Sequence, residues 1–230
     1  LDALEGQYIH PGMYGDLVDD PDLLPTGRNV YSFDGRLIPT KEAWSIGREM
    51  AEQQLQLHAD KHNNSYPRKI GVVLWKSETC RLHGVVESEI LYFLGVKPIW
   101  EKHDRWEDVE LIPSDELGRP RIDVVMTTSG SYRDMFGYKF ELLEKAVKLA
   151  ANATDTEYPN YVKENSDSLY QWLRESGYND TEARSLSTVR IFSNDIGKFG
   201  TGLHEAIPAS NMWENESEVA DVYINAMSYM

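Results

Sequence analysis

The sequence predicts an α/β fold built on a parallel sheet: a Rossmann- or flavodoxin-like three-layer domain with an extended N-terminal arm and extra C-terminal helices. Three observations carry this expectation. Short continuous apolar runs, rich in β-branched residues, occur at "KIGVVLW" (69–75), "VKPIWEK" (96–102) and "RIDVVMTTSG" (121–130). A strand that is apolar without alternation is covered on both faces, as in parallel sheets. Helical patterns separate these runs, the order expected of βαβ units.

Residues 1–40 hold Pro11-Gly12, Pro21, Pro25, Gly27, Gly35 and Pro39, so this stretch reads as an extended arm. Thr40 suits the N-cap of a helix over 41–62, with Trp44, Met50, Leu55 and Leu57 towards the core. The first strand leads into "KSETCRLHG" (76–84), read as a strand-to-loop switch, with capping by Ser77 and Glu78 as the alternative. A helix ended by Gly95 comes next, then the second strand, and "VELIP" (109–113) as a short edge strand. After the third strand, residues 132–153 read as one long amphipathic helix with Phe140, Leu143 and Val147 on one face. Residues 158–188 read as helical, and a last helix starts at Asn215 or Ser217. Residues 41–230 are expected to form a single α/β domain.

Composition narrows the function. The chain has 230 residues, 41% of them apolar, which suffices for a real core. The net charge of −15 repels phosphate backbones and disfavours nucleic-acid binding. Cys80 is the single cysteine, so no internal disulfide forms; a reducing, cytoplasmic setting is expected. Sequons stand at Asn63, Asn152, Asn179 and Asn215 without a secretory leader before them. No apolar run reaches the roughly 18–20 residues of a membrane span. The sequence opens "LDALEGQYIHPG" without Met, and the chain is read as a piece of a longer protein.

Four patterns bear on chemistry. Cys80 lies near Arg81 and His83, but no Cys-His signature surrounds it. His58 and His62 are four apart on a polar helix end, too sparse for a metal site. "NDIGKFGTG" (194–202) is glycine-rich yet lacks the Walker A ending and spacing. "TTSGSYRD" (127–134) follows the third strand, where ligands of open α/β sheets bind. Two readings of that turn stand side by side: Ser131 as a cap with Arg133–Asp134 as a local pair, or the turn as an anion holder.

Several stretches together resemble the large subunit of cobaltochelatase and its relative, the H subunit of magnesium chelatase. They are "LPTGRNVYSFDGRLIPTKEAW" (24–44), "GVVLWKSETCRLHGVVESEILYFLGVKPIW" (71–100), "VELIPSDELGRPRIDVVMTTSGSYRDMF" (109–136), "RIFSNDIGKFGTGLHEAI" (190–207) and "WENESEVADVYI" (213–224). The "LPTGRN" arm resembles the cobalt branch more than the magnesium branch. The resemblance implies a subunit that binds a tetrapyrrole and the metal ion that is its co-substrate. An AAA+ motor on separate subunits would hydrolyse ATP with magnesium, and the remainder of the same subunit would be a further partner. In the cobalt branch the macrocycle is a corrin precursor of cobalamin; in the magnesium branch it is protoporphyrin. A non-catalytic tetrapyrrole-binding or architectural role is the alternative.

That chemistry assigns roles. Two pyrrolic protons leave as the metal enters, so Glu78 and His83 are candidate proton acceptors or transient metal ligands. Arg28, Lys76, Arg133 and Arg190 are candidate holders of the macrocycle's carboxylates, with Ser129 and Asn194 as further substrate contacts. No resident metal site is assigned. The family's His-x-Gly-x-His-Gly-x-x-Glu segment is absent, and Lys76, His83, Ile196 and Phe199 depart from its usual residues.

Overall fold

A computed structural model describes residues 4–12, 24, 29–30, 34–154 and 157–230. The chain divides into two compact units, 1–35 and 36–230. In the first, β1 (Pro11–Gly12) pairs in parallel with β2 (Asn29–Val30).

The second unit opens with Ile38, fully buried, and Thr40, whose hydroxyl accepts from the Ala43 N–H and starts α1 (Lys41–Lys61). The buried face of α1 is made by Ala43, Gly47, Ala51, Leu55 and Ala59. This four-residue spacing is a stripe of small side chains broken only by Leu55, which lets a second helix come close. Met50 and Leu57, expected towards the core, are exposed instead. Gly47 shows how close the approach is: a Cβ there would lie 2.5 Å from the Val85 carbonyl of α3 (Val85–Leu94).

The parallel sheet has the order β3 (Lys69–Leu74), β6 (Asp123–Thr128), β7 (Ile191–Phe192). The run at 96–102 does not join it. β4 (Val96–Trp100) pairs antiparallel with β5 (Trp106–Leu111) as a separate hairpin. Five residues connect them, far too few for a parallel crossover, and Pro98 has no N–H to give to a ladder on both sides. The expected long helix at 132–153 is also two: α5 (Gly130–Phe136) and α6 (Phe140–Ala151), joined by a 3-10 turn over Gly137–Lys139. The stretch after β3 is a short helix, α2 (Lys76–Arg81), rather than a loop. α4 (Ser114–Leu117), α7 (Tyr161–Glu175), α8 (Asp180–Ser187), α9 (Leu203–Ala206) and α10 (Glu216–Met227, capped by Asn215) complete the unit.

The motif "ELGRPRIDVV" has a physical reading here. Arg119 donates to the Tyr92 carbonyl at 2.6 Å and lies over the Tyr92 ring. Arg121 donates to the Gly95 and Ile112 carbonyls at 2.6 and 2.7 Å. Both arginines are buried and add side-chain donors to carbonyls at the end of α3, where the macrodipole favours a cation, and Arg121 ties that end to Ile112. Gly95, at φ 71°, ends that helix as expected.

A buried ion pair and a buried lysine organise the interior. Arg190 donates from Nε to Asp123 at 2.8 Å, and both side chains are almost fully buried. Its other donors go to the Ser187 and Val189 carbonyls and the Ser166 hydroxyl, while Asp123 also accepts from Asn165. Lys139 is fully buried, donates to the Ile38 carbonyl, and lies 5.0 Å from the Trp106 ring centre.

Asp123→Ala leaves Arg190 charged and unpaired in the core, so urea unfolding should show a loss of about 3–5 kcal/mol. Replacing both residues, Asp123→Ala with Arg190→Met, should recover part of it. Burial lowers the Lys139 pKa to about 8, with Glu87 acting to raise it. The folded chain therefore releases that proton more readily than the unfolded one, whose lysine titrates near 10.5. The resulting penalty is complete below pH 8 and fades as the pH rises to 10.5. The stability gain of Lys139→Met over the parent chain should shrink across that interval in parallel urea titrations.

Candidate functional site

The site is the rim built by the segments that leave the carboxyl ends of β3, β6 and β7, where open parallel sheets bind their ligands. After β3, Trp75 leads directly into α2. After β6, the Ser129 N–H donates to the Leu74 carbonyl at 3.0 Å, which fixes this turn against the end of β3. The Ser129 hydroxyl accepts from the Tyr132 N–H at 3.2 Å and caps α5, so this serine is an internal cap. After β7 comes the glycine-rich loop 193–202. It folds back over Gly130, where a Cβ would stand 2.6 Å from the Lys198 carbonyl and 2.8 Å from the Phe199 ring.

Arg133 holds this loop. One of its nitrogens donates to the Asn194 and Asp195 carbonyls at 2.7 and 2.6 Å, and the others bond Asp134. Asn194 is buried and donates to the Gly200 carbonyl and to the Met227 sulfur, closing the loop on itself and onto α10. Arg133 and Asn194, expected to touch substrate, are thus committed to backbone and neighbouring side chains. So is Arg190, whose partners lie towards the amino end of β6, away from the rim. Arg28 lies outside the described residues.

Other groups stay open on the rim. Lys76 is exposed at the start of α2. Glu78 is half-buried and accepts from Arg81 at 2.8 and 3.0 Å on the same helix. His83 is exposed at the corner before α3 with φ 52°, an uncommon left-handed conformation for a non-glycine residue, and its carbonyl accepts from the Thr40 N–H. Three predicted residues, Lys76, Glu78 and His83, therefore share one short segment beside the Ser129 turn. Burial pushes the Cys80 thiol up, against a smaller downward pull from Lys76, which opposes a thiolate nucleophile. Among the described residues no three His, Cys, Asp or Glu gather as a metal site. His58 and His62 are stacked at 4.0 Å. No described helix is long and apolar enough to cross a membrane.

Sequence reasoning missed the floor beneath the rim. Glu87 of α3 is fully buried and accepts from the Tyr132 hydroxyl of α5 at 3.0 Å. Its second oxygen has no hydrogen-bond partner among the described residues. Burial, and then the Glu87 charge, raise the Tyr132 hydroxyl well above its ordinary pKa, so it remains a donor. The signal was present: a carboxylate inside the apolar helix "VVESEILYFL" demands a partner. A groove of about 490 Å³ lined by Trp106, Asp108, Tyr138, Glu141 and Lys145 lies beside α6, apart from the rim.

A parallel sheet with a polar, loop-built rim defines an α/β domain, and comparison with known proteins gives it a family. The family model for CobN/magnesium chelatase matches residues 1–230, and the chain belongs to that family. The aerobic cobaltochelatase subunit CobN of Pseudomonas aeruginosa is 35% identical over 100% of this chain and 18% of its own length. The magnesium-chelatase H subunit of Rhodobacter capsulatus is 37% identical over 97% of the chain and 18% of its own. The solved catalytic subunit of cobaltochelatase from Mycobacterium tuberculosis superposes with a TM-score of 0.83 at 33% identity, over 98% of this chain and 18% of that one. The chain thus spans less than a fifth of the length of these relatives.

Gly130→Ala should force the glycine loop away from α5. Overpacking of this kind costs about 1–3 kcal/mol. Limited trypsin digestion should show faster cleavage after Lys198 than in the parent chain.

Proposed function

We propose that this chain is part of the large, tetrapyrrole-binding subunit of an ATP-dependent metal chelatase, with cobalt as the metal and a corrin precursor of cobalamin as the macrocycle. The observation that carries this reading is the fold match over 98% of the chain to a cobaltochelatase catalytic subunit. An AAA+ motor would supply ATP hydrolysis from separate subunits, and the rest of the large subunit would complete the site. A second reading, magnesium insertion into protoporphyrin, is favoured by one observation. The identity to a magnesium-chelatase H subunit is 37%, against 35% to CobN.

Within this reading the rim divides the work. Lys76 offers an ammonium to a peripheral carboxylate of the macrocycle. Glu78 is the proton acceptor nearest to it in sequence, held in place by Arg81. His83 is a second base, or a transient ligand while the metal sheds water.

The test combines the full-length large subunit that carries this chain with motor subunits, ATP and either cobalt plus a metal-free corrin acid or magnesium plus protoporphyrin, followed by visible absorption. The 230-residue piece alone should be inactive. ATP-dependent cobalt insertion into the corrin is expected. Magnesium insertion into protoporphyrin with an inert corrin would replace the first reading by the second. Glu78→Gln should lower turnover by roughly a hundredfold, as loss of a general base does, with macrocycle affinity unchanged.

A further inference from the structure

We propose that Trp75 with Lys76, and Lys198 with Phe199, form the two jaws of a clasp that holds a flat, polyanionic macrocycle across the Ser129–Gly130 turn. The clasp deepens the chelatase reading and rests on it for the identity of the macrocycle.

Trp75 and Phe199 remain 52% and 59% exposed, although each is a large aromatic on an otherwise ordered backbone. They flank the same turn. Trp75 directly follows Leu74, whose carbonyl accepts from the Ser129 N–H. Phe199 rests its ring edge against Gly130, so close that no side chain fits there. Neither backbone is a loose loop: Trp75 stands directly between β3 and α2, and Arg133 and Asn194 hold the backbone of 194–200 from inside. Aromatic rings on a fixed backbone and left in water are surfaces for stacking, because an aromatic side chain has only two torsions to lose on binding.

Each ring has a lysine as its sequence neighbour. Lys76 and Lys198 are exposed, and neither meets a carboxylate among the described residues. On a chain of net charge −15, two open ammonium groups beside two open rings mark a place for an anion with an extended π-face. A tetrapyrrole bearing peripheral carboxylates has both. The apolar ring system would lie on the aromatics and the acids would reach the lysines.

The test measures binding of protoporphyrin and of a metal-free corrin acid to the full-length large subunit that carries this chain by absorption shift, across salt concentrations. The variants are Trp75→Ala, Phe199→Ala, the ring-preserving Trp75→Phe and Phe199→Tyr, and the double variant Lys76→Ala/Lys198→Ala. Each alanine at an aromatic should weaken binding about tenfold, with the ring-preserving variants near the parent value. The lysine double variant should weaken binding and flatten its salt dependence. Circular dichroism matching the parent separates these losses from misfolding. If the parent binds and the alanine variants bind equally well, the clasp is wrong and the tetrapyrrole reading stands. Ring-preserving variants as weak as the alanines would also overturn it. If the parent binds neither macrocycle, both readings fall together.

Discussion

The Asp123–Arg190 pair is the constraint on which the rest of the second unit depends. A single guanidinium gathers the start of β6, the inner face of α7, the end of α8 and the entry to β7. Both groups are withdrawn from water, so neither can be left alone without a large desolvation cost. Once they are joined, β7 must run beside β6, and the loop that leaves β7 must pass over the turn that leaves β6. The rim is a consequence of that placement.

The buried arginines teach why residue type alone misdirects. Arginine carries five donors in a rigid fork, equally able to hold a ligand's carboxylate or a protein's own carbonyls. Here Arg119 and Arg121 close the end of α3, Arg190 ties the sheet to its helices, and Arg133 pins the glycine loop. Each sits in a motif long enough to be specific to a family. The specificity comes from fold maintenance as much as from chemistry, because a backbone carbonyl buried without a donor costs as much as a lost ligand contact.

Beneath the rim, the interior is more polar than a plain hydrophobic core. Glu87 reaches Tyr132 across two helices, and Lys139 reaches the Ile38 carbonyl under the Trp106 ring. These contacts join α3, α5 and the segment ahead of α1 by directional bonds, which fix relative positions more tightly than apolar packing does. Rigid support of this kind lets exposed groups on α2 and the glycine loop keep their places without burying themselves.

Much of the fold was legible because it rests on local rules. The β-branched runs at 69–74 and 123–128, the cap at Thr40, the stop at Gly95 and the cap at Asn215 arise from spacing and side-chain chemistry within a few residues. The family was legible for the same reason: its motifs are contiguous. What the tertiary structure alone decided was partnership across long separations. That β4 turns back on β5, that Arg190 meets Asp123 67 residues away, and that Lys139 serves Ile38 depend on which surfaces are nearest in space. A sequence displays a donor's capacity; only the folded chain shows whether that capacity is already used. By that measure Lys76 and His83 stay open on the rim, Glu78 shares it while paired with Arg81, and Arg133, Arg190 and Asn194 belong to the architecture that holds it.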